Sequence, residues 1–182
     1  MLTRLKQLLG LRSPQVSVLM VCTANICRSP MAQGLLAAKA AELGWSKLVR
    51  VDSAGLHVAV GGQRPDVRAQ GVCNKADVDI ARQRSRKVTP EDFLSYDYIL
   101  AMDNSHLEQL IKQCPEEQAH KILAIMSFHP DTALEEIPDP YFGNQAGFEH
   151  VFGLLDDSMP ALLTAIQSQL TLDPAKPISE SP

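Results

Sequence analysis

The amino-acid sequence predicts an α/β protein, a single-domain three-layer sandwich with a central four-stranded parallel sheet and helices on both faces. Its length of 182 residues suits one domain. A composition of 45% hydrophobic and 21% charged residues is typical of a water-soluble globular protein. Short apolar runs rich in β-branched residues alternate with helical stretches along the chain. This alternation implies helices that cross over from one parallel strand to the next in a right-handed sense. In sheets of this kind ligands bind at the carboxyl ends of the strands, so we expect a functional site there.

The first strand and helix have the clearest sequence signals. Residues 16–21, VSVLMV, form an apolar run short enough for a buried strand. The chain is then polar or small up to Pro30, and an Ala- and Leu-rich stretch over residues 31–43 predicts a helix. Ser29 at the N-cap, Pro30 at the first helical position and Gly44 just past the end would bracket this helix.

The later elements follow the same alternation. Apolar runs predict three further strands, at residues 48–51, 96–102 and 121–125. Capping residues and helical periodicity predict further helices, over residues 66–73, from Thr89, over 104–113 and over 145–170. Pro160 should kink or split the last of these helices. The Pro-rich, acidic segment 128–143 is predicted to be a loop, and its length favours a functional one.

The two ends of the chain are predicted to lie outside the folded domain. We expect an N-terminal extension over residues 1–14, a domain over 15–171 and a disordered tail over 172–182. The first eleven residues are basic and leucine-bearing but too short to span a bilayer, so we expect no membrane insertion. A loosely docked helix is favoured over a membrane-surface anchor for this stretch.

The charges are divided unevenly along the chain. The net charge is −4. The segment up to Pro90 has 14 Lys and Arg and 5 Asp and Glu, whereas the rest of the chain has 3 Lys and Arg and 16 Asp and Glu. The basic residues are dispersed apart from the cluster at 82–87, which is predicted to be a solvated face or, alternatively, a dock for an acidic partner. No aromatic residues interleave with them, which favours a compact anion site over nucleic-acid binding.

Four cysteines, Cys22, Cys27, Cys73 and Cys114, occur without a recognisable signal sequence. This usage predicts free thiols in a reducing cytoplasm. Cys73 and Cys114 are expected to be structural. The five histidines have no metal-ligand spacing and are predicted to lie on the surface, so we expect neither a metal nor another cofactor.

The segment CTANICRSP, at residues 22–30, carries the chemistry. A tight loop that closes onto a helix N-terminus points successive amides inward and forms a nest for a tetrahedral anion. The same field favours the thiolate of Cys22, which is the nucleophilic form of cysteine. The planar guanidinium of Arg28 can bind two phosphoryl oxygens at once. The Ser29 hydroxyl would donate to the Cys22 sulfur, cap the helix, or do both.

A thiolate that attacks phosphorus needs a proton donor for the departing oxygen. Asp139, in the segment PDPY, is held by two flanking prolines and is the candidate acid. The residues alone also fit an ordinary solvated turn aspartate, and this alternative stays open at this point.

The chain resembles the low-molecular-weight protein tyrosine phosphatases over residues 16–170. The matching motifs are VCTANICRSP at 21–30, DSAG at 52–55, PDVRA at 65–69, AMD at 101–103 and DPY at 139–141. The resemblance implies a cytoplasmic enzyme that hydrolyses phosphotyrosine through a cysteinyl-phosphate intermediate. Its substrate would be a tyrosine-phosphorylated protein, with a tyrosine kinase of polysaccharide export as the expected partner.

The same resemblance implies roles for individual residues. Cys22 would be the nucleophile, Arg28 would bind phosphate and stabilise the transition state, and Asp139 would be the general acid. A left-handed Asn25, together with Ser29 and Ser53, would support the loop, which agrees with the tolerance of Asn for this conformation. Cys27 would form a reversible disulfide with Cys22 under peroxide. The phosphate would be bound by the residues of the loop: Thr23, Ala24, Asn25, Ile26, Cys27, Arg28 and Ser29.

Three departures from the family pattern affect the substrate more than the chemistry. Ala24 stands where Gly is common, which is tolerable if its φ is negative, and Gln83 stands where the family has a loop-supporting His. The segment 56–60 lacks the aromatic residue that lines the pocket in several relatives. Tyr141 and Phe142 remain as the aromatic wall, although Phe142 could instead belong to the core.

Three other functions fit the sequence less well. An arsenate reductase on the same scaffold would need further cysteines near the first, and Cys73 and Cys114 are isolated in sequence. Related protein-arginine phosphatases have Thr where Ile26 stands. A non-catalytic phosphoprotein-binding module would be expected to lose Cys22 or Asp139, and both are present.

Overall fold

The computed structural model describes residues 14–172 and has the expected architecture, a parallel four-stranded sheet between two helical layers. The strands are β1 (Val16–Cys22), β2 (Val49–Gly55), β3 (Tyr98–Ala101) and β4 (Ile122–Ala124). The helices are α1 (Arg28–Glu42), α2 (Val67–Lys75), α3 (Pro90–Ser95), α4 (Asn104–Gln113) and α5 (Gln145–Leu172). Short 3-10 turns at Glu116–Lys121 and Ile125–Phe128 flank β4. Apart from Pro14 and Leu172, the predicted extension and tail lie outside the described residues.

β1 forms the centre of the sheet, whose strand order is β2-β1-β3-β4. It pairs in parallel with β2 from Val16 opposite Val49 to Cys22 opposite Gly55, and with β3 on its other edge. All seven of its residues are buried, because helices cover both faces of the sheet. The predicted run was therefore a central strand, and it ends at the cysteine that the sequence singled out.

Alternate residues of β1 enter two separate cores. Val18 and Met20 pack with the first helical layer, which consists of α1, α2 and α5. Leu19 and Val21 pack on the opposite face with Phe93 of α3 and the α4 residue Leu110. This period of two distributes an uninterrupted apolar run between the layers and confirms the three-layer prediction.

The predicted strands and helices are present, with shifted ends. The second strand is longer than expected because it continues through the DSAG segment, whereas β3 and β4 are shorter than predicted. The first helix begins at Arg28, with Cys27 as its N-cap residue, so the prediction of Ser29 as N-cap is wrong. Gly44, with a φ of 74°, follows its end as expected.

Helix α5 is continuous over 28 residues, so the expectation that Pro160 splits it is wrong. Proline removes one backbone hydrogen bond at a cost of about 3 kcal/mol. Fully buried Leu155, Met159 and Leu162 pack against the core on both sides of the proline, and their burial outweighs this cost. Within residues 14–172, no helix combines the length and the apolar character needed to cross a membrane.

Candidate active site

The segment between β1 and α1, residues 22–28, is called the phosphate loop below. The chain beyond β2 holds it from one side, because the backbone N–H groups of Leu56 and His57 donate to the carbonyls of Cys22 (3.0 Å) and Thr23 (2.8 Å). A Cβ at Gly55 would lie 2.7 Å from the Thr23 carbonyl oxygen. Glycine at the end of β2 is thus required for the phosphate loop to approach so closely.

Asn25 locks the loop from inside. It has a φ of 57°, as expected, and is 2% exposed. Its Nδ2 donates to Ser29 Oγ (2.9 Å) and Ser53 Oγ (2.8 Å), and its Oδ1 accepts from the backbone N–H of Arg86 (2.9 Å). Asn25 and Asp77 are the non-glycine residues of the described chain with positive φ, so Ala24 meets the condition set for it.

Ser29 lies in the first turn of α1, fully buried, with its Oγ 3.0 Å from the Sγ of Cys22. No side-chain cap is formed at this helix, so the capping alternative for Ser29 is wrong. Ser29 Oγ accepts from Asn25 Nδ2, and its own proton can go to the Cys22 sulfur at 3.0 Å or to the more distant Ala54 carbonyl at 3.4 Å. The arrangement suits a serine that stabilises a thiolate.

Arg28 is almost completely buried, and its guanidinium spans the floor of the site. Nη1 donates to Asp103 Oδ2 (2.8 Å) and to the carbonyl of Ile137 (3.1 Å). Nη2 donates to Thr23 Oγ1 (3.1 Å) and to Asp139 Oδ2 (2.9 Å). The guanidinium therefore joins three elements: the phosphate loop, the carboxyl end of β3 and the segment that carries Asp139.

Two side chains, Arg28 and His106, contact the carboxylate of Asp103. Burial acts to raise the pKa of this carboxyl, but hydrogen bonds from His106 and from Arg28 outweigh it and lower the pKa to about 2. His106 Nδ1 lies 2.9 Å from Asp103 Oδ1, and its Nε2 lies 2.9 Å from Thr23 Oγ1. Asp103 therefore stays ionised beside Arg28 at any ordinary pH.

The histidine prediction holds for some of the five residues and fails for others. His57, His120 and His150 are exposed, but His106 and His129 are buried, so the prediction is wrong for these two. His106 is enclosed because it begins α4 next to the site, and His129 Nδ1 accepts from the backbone N–H two residues later (3.0 Å). Within residues 14–172, no cluster of three or more His, Cys, Asp or Glu side chains is arranged to hold a metal ion.

Residues 129–144, called the acid loop below, form the other side of the site. The side chain of Asp139 is 47% exposed, and its Oδ1 accepts from the backbone N–H of Tyr141 (3.1 Å). Phe142 is 96% exposed, so the alternative that it belongs to the core is wrong. The rings of Tyr141 and Phe142 meet edge to face with their centroids 5.0 Å apart.

A cleft of about 340 Å³ opens between the two loops. It brings together most of the residues that were expected to bind phosphate or to contact substrate: Cys22, Thr23, Ala24, Ile26, Cys27, Arg28, Asp139, Tyr141 and Phe142. Asn25, Ser29 and Ser53 are buried behind it as loop supports. Cys73, in α2, and Cys114, after α4, do not line this cleft.

Sequence reasoning missed several supporting residues. Gln33 Oε1 accepts from Ser53 Oγ (2.7 Å), whereas Gln83, which stands where the family has a loop-supporting His, donates to the Pro30 carbonyl instead (3.2 Å).

The prediction of a solvated basic face is wrong for Arg86, which forms ion pairs with Asp52 and Asp92, both at 2.9 Å. Asp103 was visible in the AMD motif, but nothing in the sequence indicated its partner.

Cys27 differs from Cys22 in its surroundings. It is buried beside Asp66, and burial, followed by the charge of Asp66, raises the pKa of the Cys27 thiol to about 12. Burial alone has a similar effect on Cys73, whose pKa is also raised to about 12. Cys27 and Cys73 therefore remain protonated near neutral pH.

Comparisons with known proteins show the family of this chain. The model of the low molecular weight phosphotyrosine protein phosphatase family matches residues 17–172. The low molecular weight protein-tyrosine-phosphatase Etp of Escherichia coli K12 is 38% identical over 141 residues, which cover 77% of this chain and 87% of Etp.

Two solved structures show the same likeness. A protein tyrosine phosphatase of Entamoeba histolytica, with Hepes in its active site, superposes with a TM-score of 0.80 at 33% identity, covering 84% of this chain and 97% of its own. Wzb of Vibrio vulnificus, in complex with benzylphosphonate, gives a TM-score of 0.72 at 29% identity, with 82% and 98% coverage.

Proposed function

The chain belongs to the low-molecular-weight protein-tyrosine phosphatases, and on this premise we propose that Cys22, Arg28 and Asp139 perform its reaction. Members of this family are hydrolases that cleave phosphotyrosine through a cysteinyl-phosphate intermediate. One observation carries the proposal. The thiol, the guanidinium and the carboxyl line one cleft, with Arg28 Nη2 2.9 Å from Asp139 Oδ2.

In the first step, the sulfur of Cys22 attacks phosphorus in line with the departing tyrosyl oxygen. A hydrogen bond from Ser29 Oγ, 3.0 Å from the sulfur, favours the thiolate as nucleophile. The S–P bond forms as the P–O bond to tyrosine breaks, and the protonated carboxyl of Asp139 gives its proton to the leaving oxygen.

Arg28 and the phosphate-loop amides stabilise the charge that spreads over the equatorial phosphoryl oxygens in the transition state. Asp103 and Thr23 hold the guanidinium in place, which spares it reorganisation during the reaction. In the second step, the Asp139 carboxylate removes a proton from water as the water attacks phosphorus. Phosphate leaves and the Cys22 thiolate is restored.

The substrate is a phosphotyrosine protein, and we propose that its ring lies against Tyr141 and Phe142. Both rings border the cleft and are exposed, Phe142 almost fully, so a substrate ring can pack against them. Ile26 adds an apolar side chain where related arginine phosphatases have Thr. The Vibrio vulnificus relative binds benzylphosphonate, a compound with the same combination of aromatic ring and phosphoryl group.

Within this class we propose a tyrosine kinase of polysaccharide export as the partner and the cytoplasm as the place of action. Both follow from the family resemblance. Incubation with a tyrosine-phosphorylated kinase of this type should release phosphate from it faster than from an unrelated phosphotyrosine protein. Equal rates on both proteins would count against this partner.

The roles are tested by hydrolysis of p-nitrophenyl phosphate with EDTA present throughout. Cys22→Ser should be inactive, and Asp139→Ala should be slowed about a hundredfold or more by loss of the acid. EDTA should change nothing, because every group in the proposed steps is a side chain or amide of this chain. Cys114→Ser, at a thiol outside the cleft, is the matched control and should keep full activity. Full activity of Cys22→Ser, or arsenate turnover coupled to thioredoxin, would overturn the proposal.

A further inference from the structure

Arg68, from the PDVRA motif, has no role in the reaction described so far, yet its guanidinium joins three parts of the molecule. Nε and Nη2 donate to the two carboxylate oxygens of Asp66 at 3.0 and 2.8 Å. Nη2 also donates to the carbonyl of Tyr141 (3.0 Å), and Nη1 donates to the carbonyl of Gly143 (2.9 Å). The guanidinium lies 4.5 Å from the centroid of the Phe148 ring in α5. The orientation of the guanidinium is thus fixed by a carboxylate, two carbonyls and an aromatic ring.

Asp66 connects this side chain to the phosphate loop. Its backbone N–H donates to the carbonyl of Ile26 (2.8 Å), and its carboxylate caps α2 by accepting from the Arg68 N–H (2.8 Å). Hydrogen bonds from Arg68 lower the pKa of Asp66, so the carboxylate stays ionised and remains paired with the Arg68 guanidinium. One end of the arrangement is therefore fixed to the loop that carries the nucleophile.

The other end reaches the proposed acid. Arg68 holds the carbonyl of Tyr141, and the N–H of the same residue donates to Asp139 Oδ1 (3.1 Å). Arg68 also holds the carbonyl of Gly143. The N–H of this residue donates to Pro140 O (2.9 Å) and closes a turn. Two carbonyls of the acid loop are thus fixed on either side of Phe142, and the N–H of Tyr141, one of the two residues that carry them, also binds Asp139.

We propose that Arg68 is a positioning residue that couples the acid loop to the phosphate loop and sets Asp139 over the Cys22 thiol. The inference rests on the proposed role of Asp139 as general acid. The planar fork is essential, because three of its nitrogens reach a carboxylate and two carbonyls simultaneously. A lysine ammonium keeps the charge but cannot make these contacts together, so the acid loop would lose its fixed distance from the thiol.

Proton donation matters most when the leaving group is a strong base. A tyrosyl oxygen depends more strongly on a well-placed acid than p-nitrophenolate does, because p-nitrophenolate is the weaker base and the better leaving group. A displaced Asp139 should therefore lower kcat/KM more for the poorer leaving group. A general loss of folded protein would lower kcat/KM for all substrates by the same factor, so this dependence separates positioning from stability.

The experiment compares wild type, Arg68→Lys, Arg68→Met and Asp139→Asn on aryl phosphates from phenyl to p-nitrophenyl phosphate and on a phosphotyrosine peptide. A misplacement of about 1 Å can cost up to about 100-fold in rate, and we expect Arg68→Lys to lose roughly 10-fold in kcat/KM on the peptide. The loss should shrink along the series toward p-nitrophenyl phosphate. Arg68→Met should show the same trend with a larger loss, and Arg68→Lys carries the test if the Met variant does not fold.

Arg64→Lys is the matched control, an exposed arginine four residues earlier, and it should behave as wild type. Asp139→Asn calibrates the series and should show the strongest dependence on the leaving group. If Asp139→Asn shows this dependence and Arg68→Lys lowers all substrates equally or none, the positioning role is wrong while the proposed function stands. If Asp139→Asn itself shows no dependence, the acid assignment fails, and the role of Arg68 fails with it.

Discussion

The phosphate loop and the acid loop face each other across one cleft but are built in different ways. Asn25 and Arg28 of the first are nearly fully buried, as is Ser29 directly after it. In the second, the side chain of Asp139 is about half exposed and Phe142 is almost fully exposed. The first loop is closed by the strand and helix that flank it in sequence and by the buried hydrogen bonds of Asn25 with Ser53 and the Arg86 N–H. The second depends on side chains from distant parts of the chain.

A buried isoleucine anchors the acid loop beneath the site. Ile137 is fully buried, its N–H donates to the Met102 carbonyl (2.8 Å), and its own carbonyl accepts from Arg28 Nη1 (3.1 Å). Beyond it the loop extends toward solvent and is held by Arg28 and Arg68. We infer that substitutions in the phosphate loop change stability and activity together, whereas those at exposed positions beyond Ile137 in the acid loop change activity alone.

The largest effect is expected at Asn25, where the buried loop is most tightly constrained. Asn25→Ala removes the hydrogen bond to Ser53 Oγ, leaves the Arg86 N–H without its partner and forces alanine into a left-handed conformation, so we expect a loss of roughly 3 kcal/mol in unfolding free energy. A shifted loop should also lower kcat/KM by about 100-fold. Urea unfolding and p-nitrophenyl phosphate hydrolysis measure the two quantities.

Asn25→Gly separates the two causes, because glycine accepts the positive φ but cannot make the hydrogen bonds. It should recover about 1 kcal/mol relative to Asn25→Ala. Asn74→Ala, at an exposed asparagine of α2, is the control and should stay within about 0.5 kcal/mol of wild type. An Asn25→Ala variant that keeps its stability while losing activity would show that the phosphate loop is not coupled to the fold.

A second prediction concerns Asp103, which binds Arg28 where the two loops meet. Its pKa of about 2 lies below the ordinary 3.8, so ionised Asp103 stabilises the folded state above pH 4. This contribution is lost as the pH falls from about 4 to about 2. At pH 7, Asp103→Asn should be less stable than wild type by on the order of 2 kcal/mol.

Urea unfolding at a series of pH values measures this contribution. The difference between wild type and Asp103→Asn should narrow between pH 4 and pH 2, because the wild type loses its carboxylate there. Glu135→Gln, at an exposed carboxylate of the acid loop, should show no such convergence. Wild-type and Asp103→Asn stabilities that fall in parallel would contradict the assignment.

The contrast between the loops also explains how much could be read from the sequence. The phosphate loop was predictable because β1, the loop and α1 are contiguous, so one segment of nine residues contains the nucleophile, the anion nest and the arginine. Its helix start was misjudged by two positions, because the Ser29 hydroxyl that would suit a cap is used by Asn25 and Cys22. Local preference gave way to a tertiary contact.

Long-range side-chain contacts could not be predicted in the same way. His106 was expected on the surface and Arg86 in solvent, because nothing near either residue in sequence indicates a buried partner. His106 contacts Thr23, 83 residues away, and Arg86 pairs with Asp52, 34 residues away. The exposure of Phe142 was open for the same reason, since an aromatic residue in a loop fits a core and a substrate wall equally well.

Phe142 gives the smallest expected effect and the sharpest contrast with Asn25. Because it is 96% exposed, Phe142→Ala should leave the unfolding free energy within about 0.5 kcal/mol of wild type. Loss of ring stacking should raise KM for phosphotyrosine peptides roughly threefold to tenfold. Leu94→Ala, at an exposed residue of α3 outside the cleft, is the control and should change neither quantity. An unchanged KM would remove Phe142 from the substrate wall, and a clear loss of stability would mean that the acid loop is part of the fold in the same sense as the phosphate loop.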